Sequence, residues 1–171
     1  MDVFTAIETR RSIRKYQGRS IPEDALHRIL EAGRLAPSAA NRQPWGVVVV
    51  REAAMKAALA KACNNCSYVA DCAAFLVCFG DARDEWYEVD AALAMANMAL
   101  TAWDHGIGSC YVGYFDEDYL KALLHIPPDM KVVVCMALGY PAESPDARPR
   151  KALDDLVHWE RYRERPSSPP L

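Results

Sequence analysis

The chain has 171 residues, 51% of them hydrophobic and 25% charged, the balance of a globular protein long enough to bury roughly 70% of its unfolded surface. A net charge of −3 and a pI near 5.8 argue against a general nucleic-acid binder. No basic, apolar leader opens the chain, and its most apolar stretch, residues 89–103 with 12 apolar positions in 15, is too short to span a bilayer. One domain over residues 1–171 in the cytoplasm is therefore expected.

Residues 3–9 read as a short helix ending at Arg10-Arg11. Ser20-Ile21-Pro22-Glu23 has the capping-box pattern with proline in the first turn, and Leu26, Ile29, Leu30 and Gly33 follow at helical spacing. Between that helix and the apolar run 46–50 lies Ala-Pro-Ser-Ala-Ala-Asn-Arg-Gln-Pro-Trp, residues 36–45. Its two prolines keep it extended or turned, and Ser38, Asn41 and Gln43 place short polar groups on one loop. Residues 47–50 and 73–79 read as buried strands, the second stopped by Gly80, with a helix at 53–62 between them. Residues 85–105 form the longest helix, with Gly106 as C-cap; apolar nearly all round, it is expected to be central or part of a dimer interface. A short extended segment follows at 109–114, then a helix capped by Asp116 and broken by Pro127-Pro128, a third continuous strand at 131–138, and an amphipathic helix near 153–163. The Pro/Ser-rich residues 166–171 are expected to fray. Continuous apolar strands separated by helices imply a sheet covered on both faces, in an α/β or α+β layered domain.

Charge is unevenly placed. Residues 1–20 carry Arg10, Arg11, Arg14, Lys15 and Arg19 against Asp2 and Glu8, and Arg148, Arg150 and Lys151 form a second basic group. Two separated patches in a mildly acidic chain suit a discrete anion better than a polyanion. Arg10-Arg11-Ser12-Ile13-Arg14 can aim several forked donors at one phosphate, and the alternating Arg148 and Arg150 can face one anion from an extended segment. Gly106, Gly108 and Gly113 do not match a dinucleotide fingerprint and can admit a flat ligand close to the backbone. The six cysteines should be reduced; Cys63-Asn64-Asn65-Cys66 with Cys72 invites a metal or dithiol reading, but no histidine lies nearby and Cys72 and Cys78 sit in or beside an apolar run, so no metal site is assigned. No P-loop, zinc-protease, nucleophile-elbow or EF-hand pattern is present.

These segments are together similar to the FMN-dependent nitroreductase family, over nearly the whole chain: residues 10–16 (RRSIRKY), 36–45 (APSAANRQPW), 106–110 (GIGSC) and 139–141 (GYP) occur in that family's order. The resemblance implies an α+β, nitroreductase-like α/β/α layered fold with a central mixed, mostly antiparallel sheet, and a homodimer with FMN at the subunit interface. It implies that Arg10, Arg11, Ser12 and Arg14 serve the FMN phosphate, ribityl chain and pyrimidine edge, with Arg148 and Arg150 closing on the same phosphate. The loop bearing Pro37, Ser38, Ala39, Asn41 and Gln43 would reach the flavin of the other subunit. Tyr111, Val112, Gly113 and Tyr114 would lie under the isoalloxazine, a backbone N–H near Gly113 meeting N5, and Asn65 matches an asparagine near the flavin carbonyls.

The activity implied is ping-pong transfer of a hydride from NAD(P)H through FMN to nitroaromatic, quinone or related small acceptors, with no protein acid, base or nucleophile required. A sizeable helical insertion usual in larger members is reduced here to about residues 81–89, leaving Trp86 and Tyr87 either as pocket cover or as ordinary interface aromatics. Alternatives are a flavin-dependent dehydrogenase or reductive dehalogenase on the same fold, or a non-catalytic protein binding FMN or another phosphorylated ligand.

Overall fold

The computed structural model describes residues 1–163. Its helices are α1 (Val3–Thr9), α2 (Glu23–Arg34), α3 (Ala53–Ala62), α4 (Ser67–Asp71), α5 (Tyr87–Asp104) and α6 (Glu117–Leu124). Its strands are β1 (Trp45–Val50), β2 (Ala74–Asp81), β3 (Gly108–Val112) and β4 (Met130–Gly139). The strands form one sheet in the order β1-β2-β4-β3, antiparallel at every pairing. The expected mixed character reduces to a single parallel bridge, Ser12 to Ser109, laid along the free side of β3.

Strands β1, β2 and β4 each feed two cores, as the unbroken apolar runs require. On β2, Phe75 and Val77 join Leu59, Val69 and Leu120 on the α3, α4 and α6 side. Leu76 and Cys78 join Leu26, Ile29, Met95 and Met98 on the α2 and α5 side. Helices thus cover both faces of the sheet. Gly33 of α2 lets Met98 of α5 press in, since a Cβ there would lie 2.0 Å from Met98 Cε. Helix α5 is accordingly central; its outer face still exposes Val89 and Leu93. No helix among the described residues is long and apolar enough to cross a membrane.

Several boundaries differ from those read in the sequence, each for a local reason. The capping box does not form: Pro22 occupies the N-cap with extended backbone (ψ 148°) and no side-chain cap bond, while Ile21 is drawn into the core at 1% exposure. Gly80 does not stop β2. It pairs with Trp45, and its missing side chain makes room for Tyr87, whose ring a Cβ would meet at 2.7 Å. Tyr87 is therefore a packing aromatic, whereas Trp86 stays exposed. The five-residue α4 was not foreseen. The amphipathic helix near 153–163 is replaced by a 3-10 turn at Leu153–Asp155, with Leu153, Leu156, Trp159 and Tyr162 exposed. A stripe with nothing to bury against supplies no helix-stabilising packing. The 166–171 tail lies outside the described residues.

Candidate functional site

Residues 11–17 form an arm that closes the β3 edge. Ile13 N–H donates to the Ser109 carbonyl at 2.9 Å, Gln17 N–H to Tyr140 at 2.9 Å and Ala142 N–H to Lys15 at 2.9 Å. Tyr16 Oη donates to the Ile13 carbonyl at 2.6 Å and approaches the Ala137 carbonyl at 3.3 Å. The close approach depends on glycine. A Cβ on Gly108 would lie 2.5 Å from Ile13, and one on Gly139 2.7 Å from the Tyr16 ring. The expectation that these glycines admit a flat ligand is thus corrected for Gly108, whose space is taken by the arm. Gly106 is the turn after α5, at φ 71°. Gly113, like Gly18 and Gly106, has nothing within 4 Å of a built Cβ.

The arm carries Arg10, Arg11, Ser12 and Arg14 into a cavity of about 810 Å³ that Arg148 and Arg150 also line. Segments some 135 positions apart thus converge on one basic cavity of a size that ligand sites commonly have. Arg10, Arg14, Arg148 and Arg150 make no side-chain hydrogen bond or ion pair among the described residues. Arg11 differs: its guanidinium donates to the Glu8 carbonyl at 2.8 Å and the Arg10 carbonyl at 3.1 Å, capping the exposed end of α1. It lines the cavity with donors partly spent.

Three further members of this cavity, Glu143, Phe4 and Ile7, carry no signal in the sequence. Glu143 accepts from the Arg14 N–H at 2.5 Å and the Lys15 N–H at 3.1 Å, so a carboxylate fixes the backbone beneath the arginines. Phe4 and Ile7 of α1 give the cavity an apolar wall. A second cavity, of about 690 Å³, shares Arg14 and Glu143 with the first and is lined by Tyr16 and Tyr68.

The field of the arginines reaches the β3 edge. Burial pushes the Tyr111 hydroxyl up, and the Arg10 charge opposes it. Burial also pushes the Cys110 thiol up, against Arg14 and, more weakly, Arg10. Burial pushes the Tyr68 hydroxyl up, and the neighbouring Cys110 and Cys66 act in the same direction. Asn65, at φ 56° in the turn between Cys63 and Cys66, thereby lies in the same neighbourhood. Tyr111 and Tyr114 are exposed, while the Val112 side chain is in the core at 3% exposure, so only its backbone faces outward. Ser109 Oγ is buried without a partner among the described residues, beside Ser12.

The loop at 37–43 does not join this cavity. It leads into β1, at the other edge of the sheet, three strand spacings or roughly 14 Å across from β3. Its backbone is unusual, with Ala40, Asn41 and Gln43 at φ 47°, 56° and 53°. Ser38 Oγ accepts the Gln43 N–H at 3.2 Å and Gln43 Nε2 donates to the Asn41 carbonyl at 2.9 Å. Two acids near the start of α5 hold it. Asp84 pairs with Arg42 at 2.5 Å, and buried Asp90 accepts the Ala39 N–H at 3.1 and 3.2 Å. In the sequence Asp90 is one of two acids, with Glu88, in the first turn of an apolar helix. Pro37, Asn41 and Gln43 are exposed, and Trp45 Nε1, at the end of the loop, is buried without a partner.

The sequence model of the nitroreductase family matches residues 7–82 and 65–140, more than half of the chain, including the arm at 11–17 and the loop at 37–43. The chain belongs to the nitroreductase family. A Thermus thermophilus protein named NADH dehydrogenase is 32% identical over 93% of this chain and 96% of its own length. Among solved structures, the NADPH:FMN oxidoreductase from Vibrio harveyi, complexed with NAD+, has a TM-score of 0.88 at 27% identity, covering 96% of this chain and 79% of the other. Nitroreductase A from Vibrio parahaemolyticus also has a TM-score of 0.88, at 28% identity over 97% of this chain and 79% of its own.

Proposed function

We propose that this nitroreductase-family chain is an FMN-dependent oxidoreductase that takes a hydride from NAD(P)H and delivers it to nitroaromatic, quinone or related small acceptors. The observation that carries the reading is the convergence of Arg10, Arg14, Arg148 and Arg150, none with a side-chain partner among the described residues, on one cavity. Charge-assisted hydrogen bonds contribute about 1.5–3 kcal/mol each, so two or three of these guanidiniums suffice to retain a phosphate monoester. The names of the relatives support the same reading, since they include an NADPH:FMN oxidoreductase and an NADPH-flavin oxidoreductase.

The residues present fit FMN. Arg10, Ser12, Arg148 and Arg150 supply donors for the phosphate, Arg14 a cation and Asn65 an amide for the polar edge of the ring, and residues 111–114 a backbone surface without side-chain obstruction at Gly113. The unpartnered Ser109 hydroxyl suits a polar ligand at the same edge. Bound FMN supplies the hydride relay between nicotinamide and acceptor. The chain's own part is to orient the ring and to place positive charge where the reduced cofactor is anionic.

The functional unit in this reading is a homodimer with two FMN sites, each built from the arginine edge of one subunit and the loop at 37–43 of the other. Support comes from the opposite placement of the two edges and from the exposed apolar side chains of α1, α5 and the 153–162 segment. Residues 1–171 act as one FMN-binding domain, and six free cysteines suit a reducing cytoplasm. Purified protein should bind FMN, lose its yellow colour with either NADPH or NADH under anaerobic conditions, and regain it on adding a nitroaromatic or a quinone. Bound flavin that neither nicotinamide bleaches would contradict the oxidoreductase reading.

A further inference from the structure

We propose that Asp90 is a positioning residue for the cofactor of the other subunit: its buried carboxylate holds the Ala39 N–H and so fixes Ser38, Asn41 and Gln43 in the orientation they present outward. The inference rests on the reading above that the loop at 37–43 serves the other subunit's FMN.

The structure points to the loop, and not to the helix, as the purpose of this acid. Asp90 is 2% exposed, an expensive place for a carboxylate unless it has donors. Helix α5 opens at Trp86 without a side-chain cap bond, yet the Asp90 carboxylate is spent on Ala39, 51 positions away, with both oxygens within 3.2 Å of its N–H. Ala39 immediately precedes the first left-handed residue, Ala40 at φ 47° and ψ 26°. An alanine and a glutamine in that region persist only when their surroundings over-determine the backbone. The other external clamp, Arg42 with Asp84, has its guanidinium 45% exposed, so solvent weakens it. The Asp90 carboxylate is itself buried, and its part-buried bond anchors the loop where the unusual backbone begins. Asn41 and Gln43, exposed in one subunit, depend on it for their direction.

Because the loop is proposed to act across the dimer, a defect at Asp90 must appear in the other subunit's site. Homodimers of D90A and of R150A should each bind FMN about 10- to 100-fold more weakly than the wild type, the loss expected when a buried hydrogen bond or one phosphate contact is removed. A hybrid dimer, co-expressed with two different affinity tags, should regain one tight FMN. One of its sites combines the intact arginines of the D90A chain with the intact loop of the R150A chain. D90N, whose amide oxygen still accepts from Ala39, should bind within about threefold of wild type, and D90L should not.

N41D serves as the control, changing a loop side chain while keeping a residue type that tolerates φ near 56°. If the N41D:R150A hybrid regains no tight site, the cross-subunit reading itself fails. If that hybrid regains one and D90A:R150A does not, only the role of Asp90 is overturned. D90A that binds FMN as tightly as wild type, or that does not fold alone or in the hybrid, also overturns it, the latter by making Asp90 a purely structural residue.

Discussion

The two edges of the sheet are built on opposite plans. The β3 edge is closed by an arm in ordinary extended backbone, pressed against glycines, and it leaves four guanidiniums in a cavity without side-chain partners among the described residues. The β1 edge is entered by a loop with three left-handed non-glycine residues whose shape is held by acids from α5. One edge stores unpaired charge and the other stores unusual conformation. In the proposed reading neither is a complete cofactor site, and within one chain the sheet keeps them apart. Functional machinery can thus be divided so that neither half is assembled until two copies meet, which is the proposal advanced above.

The largest effect should come from removing charge on the β3 edge. R10A and R150A are each expected to weaken FMN binding by about 10- to 100-fold, read by flavin fluorescence, with melting temperatures near wild type because these side chains carry no structural bonds. Arg11→Ala should instead cost stability more than affinity, because its donors cap α1; a thermal melt compared with FMN titration separates the two losses. G139A tests the arm. Its Cβ would meet the Tyr16 ring at 2.7 Å, and overpacking of this kind typically costs about 1–3 kcal/mol. Chemical denaturation should show that loss with weakened FMN binding, since Arg14 moves with the arm. Y16F removes one hydroxyl bond and should cost about 1 kcal/mol while affinity stays within a few-fold.

The smallest effect concerns the thiols, and it asks whether the neighbourhood of the β3 edge is closed. Burial pushes Cys63 and Cys78 up to about 12 and Cys72 to about 11. Their thiols are thus protonated at pH 8 and lack the reactive thiolate. Native protein at pH 8 should show one fast thiol toward a disulfide reagent, the half-buried Cys66, and all six only after unfolding. Rapid reaction at Cys110 would mean that the edge opens.

Much of this was legible from residue types. β-Branched runs marked the strands, Asp116 its cap bond to the Tyr119 N–H, Gly106 the left-handed exit from α5, and the arginines their shared cavity. What escaped the sequence is where tertiary context overrules a local signal. The Ser20 box lost to the pull of Ile21 into the core, and Gly80 served a neighbour's ring instead of ending a strand. The 153–163 stripe had no face to bury against. Glu143 and Asp90 act on backbone N–H groups 129 and 51 positions away, a pairing without periodicity or motif. Arg11 was read with its neighbours, but its role turned on which way a helix end happened to face.

The division between the two edges is tested most directly by sedimentation velocity followed at the flavin absorbance across a dilution series of FMN-loaded protein. The account predicts that flavin absorbance travels only with a dimer of this chain, at two FMN per dimer, and separates as free FMN when dilution yields monomer. A monomer that carries its FMN tightly through the same series would contradict it.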